Sequence, residues 1–135
     1  AWSRILSTAG IAASEESNLL DMVMQSDDTS FSLMGATWKV LGLNAATALH
    51  LFGRHFVRFS LRSGHASFLK SQGPTLPSFL SNVNSLHTAL ERDHPNARFP
   101  FLEVVCNELD DSLDLTYLSS RSNLKMLVVG IVEEI

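Results

Sequence analysis

The sequence predicts an α+β fold, with a mostly helical N-terminal part packed with a small antiparallel β-sheet and a C-terminal helix. Three observations predict it. Apolar residues recur at helical spacing through roughly the first two thirds of the chain, a segment with period-two alternation follows, and helical spacing returns at the end. Because helices and strands are segregated along the chain, the pattern favours this layout over alternating βαβ units.

The first helices are placed by their start signals and by apolar spacing. Ser14 followed by Glu15 and Glu16 predicts a helix start, because acidic side chains stabilise the positive end of the helix dipole. Residues 26–30 are polar and are predicted to form a turn. Apolar spacing then predicts a helix over residues 31–43.

Two longer helices are predicted next. Asn44 is expected to cap the first of them and Gly64 to end it. Four of its apolar residues fall at helical intervals: Leu49, Phe52, Phe56 and Phe59. The three phenylalanines are predicted to be core rather than part of a cofactor site. After the breaker Gly73-Pro74, a helix is predicted over residues 78–94, with an apolar stripe of Phe79, Val83, Leu86 and Leu90.

The last part of the chain predicts a β-hairpin and a closing helix. Residues 101–106 are apolar and β-branched, residues 113–117 alternate, and the polar residues 107–112 between them are typical of a turn. From Asn123 onward, helical spacing returns through Leu124, Leu127 and Ile131.

Composition limits the classes of function. The 135 residues suit one domain over 1–135, and 45% hydrophobic residues supply a core. A net charge of −4 makes nucleic acid a poor partner, and no apolar run approaches the ~20 residues that span a bilayer. A single cysteine, Cys106, suits a reducing compartment, so a cytoplasmic location is expected. The start at Ala1 and the uncapped helical end at Ile135 indicate a chain cut at both ends.

His87 is the first candidate functional residue, because it lies on the apolar stripe of its helix. A neutral imidazole on such a face can bind a metal ion or a haem iron; the alternative is a core histidine with one hydrogen bond. No other histidine pairs with it at zinc-ligand spacing, so no zinc site is predicted. His50 and His55 are predicted to be solvated.

The second candidate is the run from Tyr117 to Arg121. Alternate residues of an extended segment share a face, so Tyr117, Ser119 and Arg121 are predicted to line up. Two hydroxyls and a guanidinium at the end of an apolar face can hold a ligand with an apolar body and an anionic end. The alternative is an ordinary edge strand with polar ends. No nucleophile, phosphate loop or carboxylate pair stands out, so no catalytic site is predicted in this chain.

Taken in order, these residues resemble a known sensor family. Leu86-His87, Pro100 thirteen residues later, and Tyr117-x-Ser119-x-Arg121 together resemble the haem nitric oxide/oxygen-binding (H-NOX) domain of soluble guanylate cyclase and its bacterial relatives. Residues 39–45, 51–53 and 79–82 are similar to the cyclase β-subunit type. The resemblance implies an H-NOX fold truncated at both ends, with haem between the helical part and the sheet, and without the family's first helix.

The resemblance also implies roles for the residues on the proximal side of the haem. His87 would be the protein ligand of a ferrous haem b iron, and Pro100 would press on the porphyrin and keep it bent. The propionates would be held by Tyr117, Ser119 and Arg121. Asn84 stands where many cyclase-type members have an aspartate.

On the gas-binding side, the resemblance places Phe56 and Leu127. Some oxygen-binding members have a tyrosine where Leu127 stands, and without such a donor bound dioxygen lacks stabilisation. The pocket therefore resembles that of a nitric oxide sensor that excludes oxygen, with Ser60 as the one alternative donor. Nitric oxide binding opposite His87 would weaken the iron–histidine bond and shift the helix that carries it.

The function implied is a nitric oxide sensor domain that signals to an effector, in the simplest case a guanylate cyclase catalytic region of the parent chain that produces cGMP. Whether the parent protein is an enzyme is left open. The alternatives are a haem-free H-NOX-like interaction domain, a stand-alone sensor acting on a separate kinase or cyclase, and an α+β domain of another role. Any dimerisation is expected through regions outside this chain.

Overall fold

A computed structural model describes residues 1–20 and 26–135 of the chain. It confirms a helical chain with a small antiparallel two-stranded sheet and a C-terminal helix. The elements are α1 (Trp2–Ala9), a 3₁₀ turn (Ala13–Glu15), α2 (Glu16–Leu20), α3 (Asp27–Leu41), α4 (Ala45–Ser60), a π-helical turn (Leu61–His65), α5 (Ala66–Lys70), α6 (Leu76–Asp93), β1 (Phe101–Asn107), β2 (Ser112–Leu118) and α7 (Lys125–Glu134). They group into two compact units, Ala1–Ala48 and Leu49–Ile135.

In the first unit, α1 packs against α3, and the apolar spacing of α1 was not recognised as a helix in the sequence. Ile5 and Leu6 of α1 are buried, as is Ala36 of α3. The hydroxyl of Ser32 donates to the Ala9 carbonyl at 3.1 Å, which ties the end of α1 to α3.

The predicted turn over residues 26–30 is wrong for residues 27–30, which form the first turn of α3. The side chain of Ser26 accepts a hydrogen bond from the Thr29 amide at 3.0 Å, so Ser26 is the N-cap. Asp27 and Asp28 then lie at the positive end of the helix dipole. The polarity that was taken for a turn is therefore a helix start. The helix start predicted at Ser14 lies inside the 3₁₀ turn Ala13–Glu15, which runs directly into α2 at Glu16.

Helix α4 begins as predicted, and the helical backbone breaks at Gly64 as predicted. Asn44 caps the helix by accepting from the Thr47 amide at 2.9 Å. The α-helical bonding ends at Ser60, a π-helical turn continues over Leu61–His65, and inside it Gly64 adopts a left-handed φ of 87° before α5, a helix that the sequence did not predict.

The three phenylalanines of α4 that were predicted to be core are exposed. Phe52, Phe56 and Phe59 have exposed fractions of 51%, 49% and 56%. The buried face of α4 is instead the adjacent one, which carries Leu49, Gly53, Val57 and Ser60. A stripe of aromatic side chains is thus left on the other face of the helix.

The second unit contains α6 and the β-hairpin, which pack on each other. Thr75 caps α6, which begins two residues before the predicted start, and Leu80 is its most buried side chain. The hairpin is confirmed, with Phe101 opposite Leu118 and Leu102 opposite Tyr117. Asn123 adopts a φ of 65°, and this left-handed residue turns the chain into α7.

Candidate functional site

The ring of His87 is held in one tautomer. Its Nδ1–H donates to the Pro100 carbonyl at 2.9 Å, because a carbonyl oxygen can only accept. The ring also stacks on Phe99, with 5.1 Å between ring centroids and 24° between planes. With Nδ1 protonated, Nε2 keeps its lone pair, which is the form that binds a metal ion.

Burial favours the neutral form of this imidazole. Desolvation lowers the pKa of His87 below its usual 6.5, and the hydrogen bond to Pro100 and the charge of Glu91 oppose that shift without cancelling it. His87 is therefore neutral at pH 7. Within residues 1–20 and 26–135, no three His, Cys, Asp or Glu side chains converge on a metal position.

Asn84, one turn before His87, joins α6 to β1 through two hydrogen bonds. Its Nδ2 donates to the Leu102 carbonyl at 2.6 Å, and its Oδ1 accepts from the Leu102 amide at 2.9 Å. Leu102 in turn lies opposite Tyr117 in the hairpin. The helix that carries His87 is therefore fixed to β1 and, through the pairing of the hairpin, to β2, which carries Tyr117.

This double hydrogen bond predicts that an aspartate at position 84 would not be equivalent. In Asn84→Asp the carboxylate still accepts from the Leu102 amide but faces the Leu102 carbonyl with no proton to donate. We expect a loss of about 2 kcal/mol in the free energy of unfolding at pH 7, measured by urea denaturation. Asn96→Asp, at an exposed turn residue, makes the same change of charge and serves as the control. Equal stability of the two variants would contradict the role of the amide.

The run from Tyr117 to Arg121 is not one extended face. Strand β2 ends at Leu118, and the Ser119 hydroxyl accepts from the Arg121 amide at 3.1 Å, which turns the chain. The predicted alignment of Tyr117 with Ser119 and Arg121 is therefore wrong beyond the strand end. The turn instead brings the Arg121 Nη1 to the Arg98 carbonyl at 3.1 Å.

Three links thus gather the proximal candidates in the second unit. His87 is bonded to Pro100, Pro100 directly precedes β1, and the first pair of the hairpin is Phe101 with Leu118. The run that leaves β2 after Leu118 is tied back to Arg98 by Arg121. The imidazole of His87 and the guanidinium of Arg121, with its neighbouring hydroxyls, therefore lie on connected segments of backbone.

Phe56 and Leu127 form a second group, on α4 and α7. These helices are in backbone contact: a methyl group on Gly53 would overlap the Leu127 carbonyl oxygen, and one on Gly130 would overlap the His50 carbonyl oxygen. Phe56 lies nearly one turn after Gly53 and is half exposed, and Leu127 is partly buried. The close helix pair therefore carries both distal candidates.

Charged and titratable residues join the same two helices, and none of these pairings was predicted from the sequence. His50 was predicted to be solvated, but it is partly buried and its Nε2–H donates to the Glu133 carboxylate at 2.7 Å. Glu134 accepts from Arg54 Nε at 2.8 Å and from Arg58 Nε at 2.6 Å. The available signal was a set of basic residues four apart on α4 and an acidic pair ending α7.

The lowered pKa of Glu134 predicts that the folded chain loses stability in acid. Hydrogen bonds from Arg58 and Arg54 lower the pKa of Glu134 from 4.5 to about 2. A carboxyl whose pKa is lower in the folded state stabilises the fold above the unfolded pKa, and this contribution is lost as pH falls from 4.5 through about 2. We expect the free energy of unfolding of the native chain to fall more steeply over this range than that of Glu134→Gln, by urea denaturation at each pH. Parallel pH profiles would contradict this assignment.

A groove of about 220 Å³ lies between β2 and α7. It is lined by Leu115, Tyr117, Lys125, Val128, Val129, Val132 and Glu133. It includes Tyr117 but not His87, and its walls are mostly apolar. The hydrogen-bonded arrangement around His87, rather than this groove, therefore defines the candidate site.

Comparison with known proteins decides the family. The sequence model of the haem-NO-binding family matches residues 1–135. The chain belongs to the haem-NO-binding (H-NOX) family. The resemblance predicted from Leu86-His87, Pro100 and the Tyr117-x-Ser119-x-Arg121 run is thereby confirmed.

Relatives of this H-NOX chain include guanylate cyclases. The soluble guanylate cyclase gcy-32 of Caenorhabditis elegans is 26% identical over 135 residues, which are 99% of this chain and 19% of that protein. The soluble guanylate cyclase subunit beta-2 of Rattus norvegicus is 32% identical over 87 residues, which are 64% of this chain and 13% of that protein. The chain thus spans about a fifth or less of the length of these curated relatives.

Solved H-NOX structures share the fold. A Cs H-NOX mutant carrying 4-cyano-L-phenylalanine matches with a TM-score of 0.74 at 19% identity, over 96% of this chain and 66% of that one. An oxygen-binding H-NOX domain related to soluble guanylate cyclases matches with a TM-score of 0.70 at 19% identity, over 96% of this chain and 65% of that one. At this identity the likeness concerns the fold. No described helix is long and apolar enough to cross a membrane.

Proposed function

We propose that this chain is a haem-binding nitric oxide sensor domain in which His87 is the protein ligand of the iron. The observation that carries the proposal is the Nδ1–H hydrogen bond to the Pro100 carbonyl. It leaves Nε2 as the only metal-binding atom of a neutral, partly buried ring. A histidine held by its second nitrogen is also oriented for a single direction of approach.

The residues at the end of β2 supply the anion-binding part of the proposed site. The hydroxyls of Tyr117 and Ser119 and the guanidinium of Arg121 would donate to the propionates of the haem. Arginine suits carboxylates because its N–H groups match the spacing of their two oxygens. Pro100, whose carbonyl orients His87, would contact the porphyrin with its rigid ring. The hydrogen bonds of Asn84 to Leu102 keep these two halves of the site in register.

Ferrous haem b, when bound, would supply an open coordination position for a diatomic gas. We propose that Phe56 and Leu127 line the gas-binding side. Both side chains are apolar and neither donates a hydrogen bond, so bound dioxygen would lack stabilisation of its partial negative charge. Nitric oxide depends much less on such a donor, and the pocket therefore favours it. Ser60, the nearest hydroxyl along α4 from Phe56, is buried.

The test is the absorption spectrum of the chain reconstituted with ferrous haem. We expect a Soret band that shifts when nitric oxide is added and does not shift in air. A chain that takes up no haem would favour the alternative of a haem-free interaction domain. A stable oxygen complex would overturn the selectivity for nitric oxide.

Leu127→Tyr tests the gas selectivity directly. The phenol would add a hydrogen-bond donor beside the proposed gas position, so we expect oxygen affinity to rise about tenfold, as one hydrogen bond of ordinary strength provides. Oxygen titration of the ferrous protein measures it. Leu127→Phe introduces the same ring without the hydroxyl and is the matched control. Equal oxygen affinities in the two variants would show that Leu127 does not face the gas.

We further propose that the sensor signals to a guanylate cyclase catalytic region elsewhere in a longer, cytoplasmic parent protein, which would dimerise through regions outside this chain. The support is that relatives named as soluble guanylate cyclases are about five times longer than the matched part. The test is cGMP production by the full-length protein with and without nitric oxide. Production that does not respond to nitric oxide would favour a different effector.

A further inference from the structure

Helices α4 and α7 are joined by a set of five charged or titratable side chains, which we call the α4–α7 charge clamp: His50, Arg54, Arg58, Glu133 and Glu134. We propose that this clamp sets the register of α7 on α4 and thereby the spacing of Phe56 from Leu127, which makes Glu134 a positioning residue of the gas pocket. The part that concerns the pocket rests on the proposed function, which assigns Phe56 and Leu127 to the gas-binding side.

The backbones of α4 and α7 approach each other closely. Gly53 lies against the Leu127 carbonyl and the Ile131 amide nitrogen, and Gly130 lies against the His50 carbonyl. Only residues without a Cβ permit this contact. Glycine has no side chain to interlock with the facing helix, so this contact permits the close approach but adds no side-chain bond that would specify the register of α7 on α4.

The charge clamp specifies one register of α7 on α4, which the glycine contact does not. Arg54 and Arg58 lie one turn apart on α4, and both donate to the one carboxylate of Glu134, with a third N–H bond from Arg58 Nη2 at 2.9 Å. The side chain of Glu134 is only 16% exposed. His50, one turn before Arg54, holds Glu133. A shift of α7 by one turn, about 5.4 Å, would break all of these bonds together.

The acidic pair Glu133 and Glu134 needs positive partners, because adjacent side chains of like charge repel each other. Among the described residues, Arg54 and Arg58 of α4 offset this repulsion at Glu134. The pair therefore stabilises the register of α7 in which Glu134 meets both guanidinium groups.

The charge clamp and the proposed gas pocket involve the same segments of α4 and α7. Phe56 lies between Arg54 and Arg58 in the sequence of α4, and the Leu127 carbonyl touches Gly53. The segments that carry the two pocket residues are thus the segments that the clamp and the glycines hold together. Loosening α7 at Glu134 changes where Leu127 lies relative to Phe56.

The experiment compares the native chain with Glu134→Gln, which keeps the shape and removes the charge. In the haem-free chain, amide hydrogen exchange of α7 is expected to be about threefold to tenfold faster in the variant, since two ion pairs are lost. Added salt should speed exchange of the native chain more than that of the variant, which keeps the His50–Glu133 pair but has lost those of Glu134, a response that a packing role would not produce. In the haem-loaded protein, the C–O stretching band of added carbon monoxide should shift or broaden in the variant. Glu103→Gln, at an exposed residue of β1, is the control.

The outcomes separate the two proposals. If Glu134→Gln matches Glu103→Gln in hydrogen exchange, the clamp is overturned whatever the haem does. If exchange changes but the carbon monoxide band does not, the link to the pocket is overturned. If the native chain takes up no haem, the proposed function fails together with the link to the pocket, and hydrogen exchange still decides whether the clamp sets the helix register.

Discussion

Replacing His87 with glycine is expected to abolish haem binding, and added imidazole is expected to restore it. The substitution removes the proposed protein ligand of the iron and leaves a gap of its size beside Pro100 and Phe99, which free imidazole can enter. The Soret absorbance per protein chain, with and without imidazole, measures the effect. We expect near-complete loss without imidazole, because the described residues offer no second group of metal ligands.

The control is His94→Gly, at the end of the same helix. His94 is exposed at the C-cap of α6, outside the helical region, so its loss leaves the proposed site intact. This variant should keep its haem and its spectrum. Haem retained with an unchanged spectrum in His87→Gly would refute the assignment of the iron ligand.

Gly130→Ala is expected to have the largest effect on stability. The added methyl group would overlap the backbone carbonyl oxygen of His50, and a backbone atom cannot rotate away as a flexible side chain can. Helices α7 and α4 must therefore separate. We expect a loss of about 3 kcal/mol in the free energy of unfolding, as for a severe case of overpacking. Thermal unfolding should show a Tm lower by about 10 °C.

Gly35→Ala is the matched control for this prediction. Gly35 lies inside α3, and nothing lies within 4 Å of the position of an added methyl group. Alanine has the higher helix propensity, so this variant is expected to be as stable as the native chain, or more stable by about 0.5–1 kcal/mol. If Gly130→Ala and Gly35→Ala unfold alike, the backbone contact of α4 with α7 is not closely packed.

Local signals predicted much of the fold. The cap at Asn44 and the presence of the β-hairpin follow from interactions between residues near each other in the chain, which the sequence displays directly. The segments that were predicted wrongly have sequence patterns that fit two kinds of local structure. A polar stretch such as residues 26–30 suits a turn and a helix start equally well, and the hydrogen bond from the Thr29 amide to Ser26 selects the helix.

Residue types and spacing in the sequence predicted which residues form the candidate site. They did not predict the tautomer of His87 or the hydrogen bonds of Asn84. The position of His87 on an apolar stripe and the order of Pro100 and the Tyr117 run pointed to one site. The tautomer of His87 depends on a carbonyl thirteen residues away. The role of Asn84 depends on a strand residue eighteen positions later, and an amide side chain gives no sign of such a partner.

By itself, the sequence determined the fold class, the family and which residue types are available for a haem site, because periodicity, caps and motif order are local properties of the chain. Only the tertiary structure decided the protonated nitrogen of His87, the clamp between α4 and α7, and which face of α4 is buried. The physical reason is distance along the chain. Arg54 and Glu134 lie 80 residues apart, and their pairing exists only after two glycines have let the helices meet.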